Sequence, residues 1–566
     1  MYPEDYKIPK EEIIEYWIEE GLIDVMETRQ VMKDEGHAIL RKLEDNCLLE
    51  FVKNGKDCVR MHDVVRDMAL HITRTSPRFF VKAGLALKEL PEVQEWREDI
   101  LKVSLMQNYI QEIPSSMPSP KCPMLTTLLL SHNSFLTIPE AFFEHMLGLK
   151  ILDLSNNEKL NSLPNSISKL VNLTTLLLWG CMSLKKVPSL SNLSALKKLD
   201  LRGTKIEEFP QGLEMLTNLK YLNLKPSILF TRVDEEVIEE VNLGLLSEIP
   251  DGMLSNLSKL QHLEVSGKIP LKGEEMGRLV KLESLRGRFP TVQDMIIFFL
   301  TSERDGLMSW YNLIVGCWNS KKYLDSLIYS ETSIGFGKKS IHFNGVDVCG
   351  EPNLLPSDVQ YLVIENCNNM RGLNDIFDSQ VNALVQVEAV AKLATFSTLK
   401  QIHISNCSKI NKLFPPWLLG YLQNLESINV RECPQLEEII ASESEEEEER
   451  EDCEQMEEIK LSTSKEAMEI TVPKLKFLSL VSLPGLKRIC SSTIMLICDS
   501  LERLVIIDCQ KLRRIPLYLP LLYNGQPSSS SLKKIRAHPK EWWESLEWDN
   551  PNAKEVLSPL CHYSVR

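Results

Sequence analysis

His62 and Asp63 are the neighbouring residues in this sequence whose side chains are best suited to ligand binding. An imidazole can donate a hydrogen bond to a phosphate oxygen, and an aspartate can act as the N-cap of a helix. The phosphate-loop pattern G-x-x-x-x-G-K-[ST] is absent, because the nearest stretch, Gly335 to Ser340, lacks the first glycine at the required spacing. The remaining histidines are scattered, and no Ser/His/Asp, Cys/His or C-x-x-C set has a supporting context. We therefore expect neither an enzyme nor a metal site.

A small folded unit is predicted around this pair. Apolar residues at helical spacing predict helices over Lys10 to Ile23 and Val31 to Leu43. Asn54-Gly55 stands between two apolar runs, which is typical of a hairpin turn. A third helix follows, with Asp63 as its expected N-cap. Two helices, a hairpin and a helix within residues 1–75 indicate a winged-helix unit.

Leucine patterns dominate the rest of the chain. Leu149 to Asn157 fits L-x-x-L-x-L-x-x-N, the signature of one leucine-rich repeat, and matching units begin at 125, 149, 173, 196 and 219. One such unit cannot bury its own apolar face, so in-phase neighbours must stack on it. The predicted fold class is α/β: a mostly helical winged-helix-like unit at 1–75, a connector at 76–100 and a curved leucine-rich-repeat solenoid at 101–560. Acidic residues crowd a predicted loop at about 441–460.

Several motifs together resemble one known family. Met61-His62-Asp63 is similar to the MHD motif that closes the nucleotide-binding switch domain of plant NB-LRR disease-resistance proteins. The stretches around Tyr2 and Trp17 resemble the last third of that domain, in its coiled-coil rather than its TIR class. Together with the repeats, the resemblance covers essentially the whole chain. Because the phosphate loop is absent, the sequence resembles the carboxy-terminal portion of such a receptor.

The resemblance implies a function and a cofactor. Family members are intracellular immune receptors in which the MHD histidine reaches the phosphates of ADP and holds the off state. His62, with Met61 and Asp63, would take that part only if the phosphate-loop half were present, so ADP or ATP is implied for the complete receptor and no cofactor for this chain alone. The implied partners are a pathogen effector or a guarded host protein, and the receptor's own nucleotide-binding domain. Residue patterns alone leave open a non-catalytic leucine-rich-repeat scaffold or adaptor.

The repeats predict where a partner would bind. Side chains that alternate with the core leucines face the concave surface, and aromatic and arginine residues there are expected to contribute most of the binding energy. The predicted partner-binding residues are Trp179, Arg202, Tyr221, His262, His403 and Arg431.

Composition excludes several other classes. A net charge of −15 argues against a nucleic-acid partner, and no apolar run reaches the length of a membrane span. The amino terminus has no apolar signal segment. Cysteines occupy the asparagine position of several repeats, where we expect buried, reduced thiols. These cysteines are Cys181, Cys367, Cys407, Cys433 and Cys509. We therefore expect a cytoplasmic protein.

Overall fold

The computed structural model describes most of the chain and divides it into two compact units. The first unit contains Met1–Arg288 and Met308–Trp310, and the second contains Phe289–Leu307 and Tyr311–Arg566. The described residues are 1–24, 26, 28–53, 57–75, 78–233, 236–242, 246–301, 308–318, 339–349, 355–376, 397–441, 468–490, 494–515, 517–518, 531–547, 554 and 557–563. The predicted acidic loop lies outside them from residue 442 onward.

The first unit begins with a winged-helix domain. Its elements in order are β1 (Ile8–Pro9), α1 (Lys10–Glu19), α2 (Arg29–Asp45), β2 (Glu50–Lys53), β3 (Asp57–Arg60) and α3 (Asp63–Ile72). Strands β2 and β3 form the predicted antiparallel hairpin, and β1 adds to β3. Ile14, Leu40 and Val59 are fully buried and join the helices to the sheet. The N-cap of α3 is His62 and not Asp63, because His62 Nδ1 accepts the hydrogen bond of Val64 N–H.

A parallel ladder of short strands follows the winged helix. The strands are β4 (Arg78–Val81), β5 (Ile100–Ser104), β6 (Thr127–Leu129), β7 (Ile151–Asp153), β8 (Thr175–Leu177), β9 (Lys198–Asp200) and β10 (Tyr221–Asn223). An antiparallel hairpin, β11 (Ser227–Val233) with β12 (Glu236–Asn242), interrupts the series before β13 (His262–Glu264), α4 (Gly273–Gly277) and β14 (Ser284–Phe289). The segment predicted as a connector thus contributes β4, which pairs in parallel with β5.

The second unit continues the parallel pattern. It contains α5 (Val292–Leu300), β15 (Trp310–Gly316), β16 (Lys339–Asn344), β17 (Tyr361–Glu365), β18 (Gln401–Ser405), β19 (Lys412–Phe414), α6 (Pro416–Leu419), β20 (Ser427–Arg431), β21 (Glu438–Ile440), β22 (Met468–Thr471), β23 (Phe477–Val481), β24 (Ile494–Ile497), β25 (Arg503–Ile507), β26 (Leu517–Tyr518), β27 (Lys534–His538), α7 (Lys540–Glu544) and β28 (Cys561–His562). Strands β15 to β18, β20, β23, β25, β27 and β28 pair in parallel in that order. This ladder confirms the predicted leucine-rich-repeat fold.

The asparagine and cysteine positions satisfy backbone groups between repeats, as the pattern predicts. Asn157 Nδ2 donates to the carbonyl oxygens of Leu130 (3.1 Å) and Leu154 (2.7 Å), which belong to two successive turns of the chain. In the next repeat the Cys181 thiol takes the same place and donates to Leu154 O. Both side chains are fully buried. These repeats are therefore linked to their neighbours by side-chain hydrogen bonds as well as by stacked leucines.

Candidate functional site

Three carboxylates at the end of the first winged-helix helix form the centre of the candidate site. Glu15 and Glu19 are four residues apart in α1, so they lie on one face of the helix. Glu20 follows as its C-cap. The other face of α1 carries Ile13 and Ile14, which are buried in the winged-helix core. Because the apolar face is held in the winged-helix core, the acidic face of α1 points away from that core.

The acidic face meets cations on the inner face of the repeats, meaning the side of the ladder whose residues alternate with the buried leucines. Lys198 in β9 contacts Glu15 and lies 3.6 Å from Glu19. Lys102 in β5 bonds to Glu20 at 2.6 Å. The Lys198 and Glu19 side chains are each only 8% exposed. The contact is therefore a largely buried ion-pair network.

A residue of the winged helix itself completes the network. Arg29, the first residue of α2, donates to both Glu15 and Glu19 through its guanidinium, and its backbone N–H donates to Glu283 Oε2 at 2.9 Å. Glu15 and Glu19 thus share two cations, Arg29 from the winged helix and Lys198 from the repeats. Arg29 and Lys198 balance both charges, which a buried pair of carboxylates requires.

Hydroxyl groups add uncharged contacts across the same interface. Thr127 in β6 donates to Glu20 Oε1 at 2.6 Å, and Thr175 in β8 donates to Glu19 Oε2 at 2.9 Å. In the reverse direction, Tyr16 of α1 donates its hydroxyl to Asp153 Oδ2 of β7 at 2.6 Å. The helix therefore bonds to every strand from β5 to β9.

Proton affinities reflect this environment. Burial by itself would raise the pKa of Glu15, but Lys198, Arg29 and Lys33 outweigh it and hold that pKa well below its usual value. Burial also raises the pKa of Tyr16, and the nearby Asp153 carboxylate raises it further. At neutral pH the network therefore holds an ionised Glu15 and a Tyr16 hydroxyl that keeps its proton.

Two of the predicted partner-binding residues lie within this contact. The Tyr221 and His262 rings stack at 4.3 Å with an interplanar angle of 3°. The guanidinium of Arg29 is 5.6 Å from the Tyr221 ring centre, and Lys198 Nζ is 4.8 Å from it. Both rings belong to the inner face, as alternation predicts, but the winged helix engages Tyr221 through Arg29.

Trp179 and Arg202 form a more open pair on neighbouring repeats. The Arg202 guanidinium lies 5.0 Å from the Trp179 ring centre, and its side chain is 46% exposed. Arg202 Nε also pairs with Asp200 at 3.2 Å. Burial raises the pKa of Asp200 to about 6, although Arg202 and Lys198 oppose the shift. The Arg202 side chain of this pair is accessible to a partner, and the role of the pair as a binding site stays a prediction.

His403 and Arg431 belong to the second unit. His403 Nε2 lies 3.8 Å from Glu365, whose other oxygen bonds His342 Nε2 at 3.0 Å. Burial lowers the pKa of His403 to about 4, so its imidazole is neutral at physiological pH. Arg431 donates through Nε to Asn429 at 3.1 Å.

His62 is exposed at the start of α3, where it would face a ligand from outside the helix. Its Nδ1 accepts from Val64 N–H at 3.3 Å, so in the neutral ring the proton resides on Nε2. That leaves Nε2–H as a donor suited to a phosphate oxygen. The exposed imidazole fits such a contact, but the sequence supplies no loop to hold the remaining phosphates.

Sequence reasoning missed the residues that build the interface. The apolar spacing predicted the helix that carries Glu15 and Glu19, but neither these carboxylates nor Lys102, Lys198 and Arg29 were singled out. A signal was present, since three carboxylates within six consecutive positions, Glu15 to Glu20, concentrate negative charge at the end of one helix. The partners on five separate repeats could be found only by folding the chain.

Comparisons with known proteins agree with this architecture. A family model described as "Disease resistance protein Winged helix domain" matches residues 1–69. Models described as "Leucine rich repeat" and "Plant disease resistance protein RPS2-like, leucine-rich repeats" match residues 123–182 and 371–517. No helix in the described part of the chain combines the length and apolar character needed to cross a membrane.

Two relatives from Arabidopsis thaliana align along the whole chain, and a third aligns along half of it. Disease resistance protein RPS5 is 30% identical over 100% of this chain and 53% of its own length. Disease resistance protein At4g27190 is 28% identical over 99% of this chain and 57% of its own length. Disease resistance protein RFL1 is 35% identical over 50% of this chain. The chain thus spans about half the length of the relatives that match it throughout.

Proposed function

The chain belongs to the plant disease resistance proteins that join a winged-helix domain to leucine-rich repeats, and we propose that it is the sensing and self-inhibiting portion of a defense receptor. The repeats would recognise a pathogen effector or a guarded host protein. The contact of α1 with the inner face would hold the receptor off until recognition displaces it. The observation that supports this is the buried network of Glu15, Glu19, Arg29 and Lys198.

A buried ion-pair contact suits a switch better than an apolar one. Separating an apolar interface would expose its leucines to water at a large cost in free energy. Charged groups are hydrated when they separate, so their separation costs less. A ligand shifts such an equilibrium by its difference in affinity for the docked and undocked states. A docking free energy of only a few kcal/mol is therefore enough to keep the receptor inactive at rest and still allow a ligand to release the contact.

The test uses a receptor that extends this chain to the length of its relatives. The pair Glu20–Lys102 connects α1 to β5 at 2.6 Å. Glu20→Lys or Lys102→Glu should each trigger a cell-death response in leaf tissue without any pathogen, because each places like charges together. The double swap should be quiet again, because the attraction is restored with reversed signs. If all three receptors stay silent and respond normally to their elicitor, the autoinhibitory role is wrong.

A nucleotide switch is the second part of the proposal. His62 Nε2–H would donate to a phosphate of ADP held mainly by residues outside this chain, and so stabilise the resting state. His62→Ala in the same receptor should make it active without a partner. Asp67→Ala, at an exposed position of the same helix, is the matched control and should stay quiet. A quiet His62→Ala receptor would count against the phosphate contact.

A leucine-rich-repeat scaffold or adaptor is the alternative function. It predicts that the charge swaps change which proteins bind but never produce a response by themselves. Reciprocal rescue by the Glu20/Lys102 double swap therefore separates the two hypotheses, since an adaptor has no resting state to restore.

A further inference from the structure

A row of lysines borders the contact of α1 and takes no part in its ion pairs. The row consists of the residues that stand directly before the strands β7, β8, β9 and β10, and they are Lys150, Thr174, Lys197 and Lys220. Each residue after the first donates its backbone N–H to the carbonyl oxygen of the one before it, at 2.7–2.8 Å. Equivalent positions of a parallel ladder project their side chains to the same side, so the three lysines form one basic surface.

The continuation of the row shows where this surface lies. Beyond Lys220 the same backbone hydrogen bonds lead to Gln261 and then to Glu283, which stand directly before β13 and β14. The Glu283 side chain accepts the backbone N–H of Arg29 at 2.9 Å. The lysine row therefore runs along the edge of the surface that the winged helix covers.

The positive charge of the row is not neutralised by bonded carboxylates. Lys150 and Lys197 are exposed and Lys220 is half-buried, and none of the three ammonium groups forms an ion pair with a described residue. Burial lowers the pKa of Lys220, and Lys197 lowers it further against the opposing effect of Glu19. Lys197 and Lys220 therefore repel each other, and a bound anion would relieve that repulsion.

The same strands already bind carboxylates at the next position along the chain. Lys198 directly follows Lys197 and contacts Glu15. In the neighbouring strand β8, Thr175 donates to Glu19 at 2.9 Å. This part of the ladder thus holds an acidic protein helix, and the lysine row extends the carboxylate-binding surface beyond the edge of that helix.

We infer that Lys150, Lys197 and Lys220 bind an acidic segment of a partner protein beside α1. Three strand spacings separate β7 from β10, or roughly 14 Å, which matches about five residues of extended chain. Lysine side chains are long and flexible, so each can reach a carboxylate without a fixed register. The inference deepens the proposed function, because it gives the chemical class of the partner.

Such a partner would favour the undocked state of α1. Its carboxylates would lie near Glu19, which already acts on Lys220, and like charges repel. An acidic segment would therefore bind more tightly once α1 has left, and by the same difference in affinity it would promote the release of α1. This consequence rests on the proposed function, whereas binding to the row does not.

An acidic protein segment fits the row better than a nucleic acid. The row ends at the carboxylate of Glu283, and Glu19 acts on its last lysine, Lys220. A continuous phosphate backbone would run against these carboxylates, whereas a peptide can place neutral residues beside them. The net charge of −15 would also oppose long-range attraction of a polyanion.

The test measures fluorescence anisotropy of a labelled eight-residue peptide that alternates glutamate and serine, titrated with the full chain at low ionic strength. Lys150→Gln/Lys197→Gln should weaken binding at least about fivefold, because two charge-assisted contacts are lost. Lys159→Gln/Lys205→Gln is the matched control. It removes the same charge at exposed positions after β7 and β9 instead of directly before them, and should change the affinity less than about twofold.

Further arms make the outcome decisive. Glu19→Gln removes the opposing carboxylate and should tighten binding about twofold or more. Because the chain's own acidic segment could occupy the row, the titration is repeated with glutamine at positions 445–449. Binding by that variant alone would assign the row to this chain and overturn the inference. So would failure of both chains to bind, equal binding of a glutamine-for-glutamate peptide, an unchanged affinity of Lys150→Gln/Lys197→Gln, or tighter binding of an eight-base single-stranded oligonucleotide.

Hydrogen exchange separates this inference from the proposed function. Saturating peptide should speed exchange of the slowest α1 amides at least about threefold, because it favours the undocked state. Peptide binding with unchanged exchange of α1 would support the lysine row as a binding surface and count against the proposed self-inhibition. Absence of binding would overturn the lysine row alone, and the Glu20/Lys102 charge swaps would still decide the proposed function.

Discussion

Removing Lys198 should loosen the contact between α1 and the inner face without harming the repeats. In Lys198→Met the aliphatic stem is kept, while the charge that serves Glu15 and Glu19 is lost. Each pair carries about 4–5 kcal/mol of Coulomb attraction at an effective dielectric constant near 20, before the cost of desolvation is subtracted. Breaking a buried pair from one side costs about 3–5 kcal/mol. Because Arg29 stays on both carboxylates, we expect the lower end, about 3 kcal/mol.

Hydrogen exchange measures this loss directly. The slowest amides of α1 exchange only when the winged helix unfolds, and unfolding from the docked state also requires losing the contact with the repeats. A loss of about 3 kcal/mol should therefore speed those amides roughly 100-fold. The slowest amides of β20 and β23, in the second unit, should be unchanged and provide an internal reference.

Two further variants show whether the effect belongs to this network. Lys169→Met removes an exposed partner of Glu144, 59% exposed, and should cost less than about 1 kcal/mol. A cycle of Lys198→Met, Glu15→Gln and the double variant should show that the two losses do not add, since the residues share one interaction. Unchanged exchange of α1 in Lys198→Met would refute the idea that this network holds the winged helix.

Two further predictions concern stability. Asn157→Ala should lower the free energy of unfolding by about 2 kcal/mol in thermal melts, because two buried hydrogen bonds are lost. The control Asn161→Ala changes an exposed position and should stay within about 0.5 kcal/mol of the parent. Glu365 has its pKa lowered from 4.5 to about 2, because His342, His403 and Ser405 outweigh the effect of burial. The folded state therefore binds fewer protons between these values, so the stabilisation from Glu365, at most about 3 kcal/mol, is present above pH 4.5 and is lost as the pH falls toward 2. The stability gap between parent and Glu365→Gln should shrink between pH 5 and pH 3 in denaturant titrations; a constant gap would contradict this explanation.

The repeat fold could be predicted because its hydrophobic period is strict. Units were expected to begin at 125, 149, 173, 196 and 219, and the strands β6 to β10 each start two residues later. Stacked leucines tolerate few alternatives, so the pattern determines both register and direction. Between Pro226 and Gly244 the leucine spacing stretches, which indicates an insertion or an irregular repeat without specifying its structure. The structure has the hairpin β11–β12 there, and a leucine period cannot predict such a hairpin.

The site was predictable only in part, because it depends on which surfaces meet. Alternation correctly assigned Tyr221 and His262 to the inner face. It could not show that Arg29, nearly two hundred residues earlier in the chain, would cover Tyr221. The cap of α3 was also misassigned, because Asp63 and His62 both have acceptors and only backbone geometry decides between them. Local chemistry predicts what a residue can do, whereas tertiary contacts decide what it does.

The positions of the predicted binding residues have different consequences for signalling. A partner that binds Tyr221 must displace Arg29, so its affinity differs between the docked and undocked states, and binding itself releases the contact. A partner that touches only Trp179 and the 46% exposed Arg202 displaces no side chain of the winged helix, so its affinity differs less between the two states and it shifts the equilibrium less. If the chain is the proposed receptor portion, recognition and activation are therefore separable on this one surface. Substitution of Tyr221 should reduce the coupling between partner binding and release of α1, whereas substitution of Arg202 should reduce mainly the affinity. Measuring partner binding to the parent and Lys198→Met chains distinguishes these two effects.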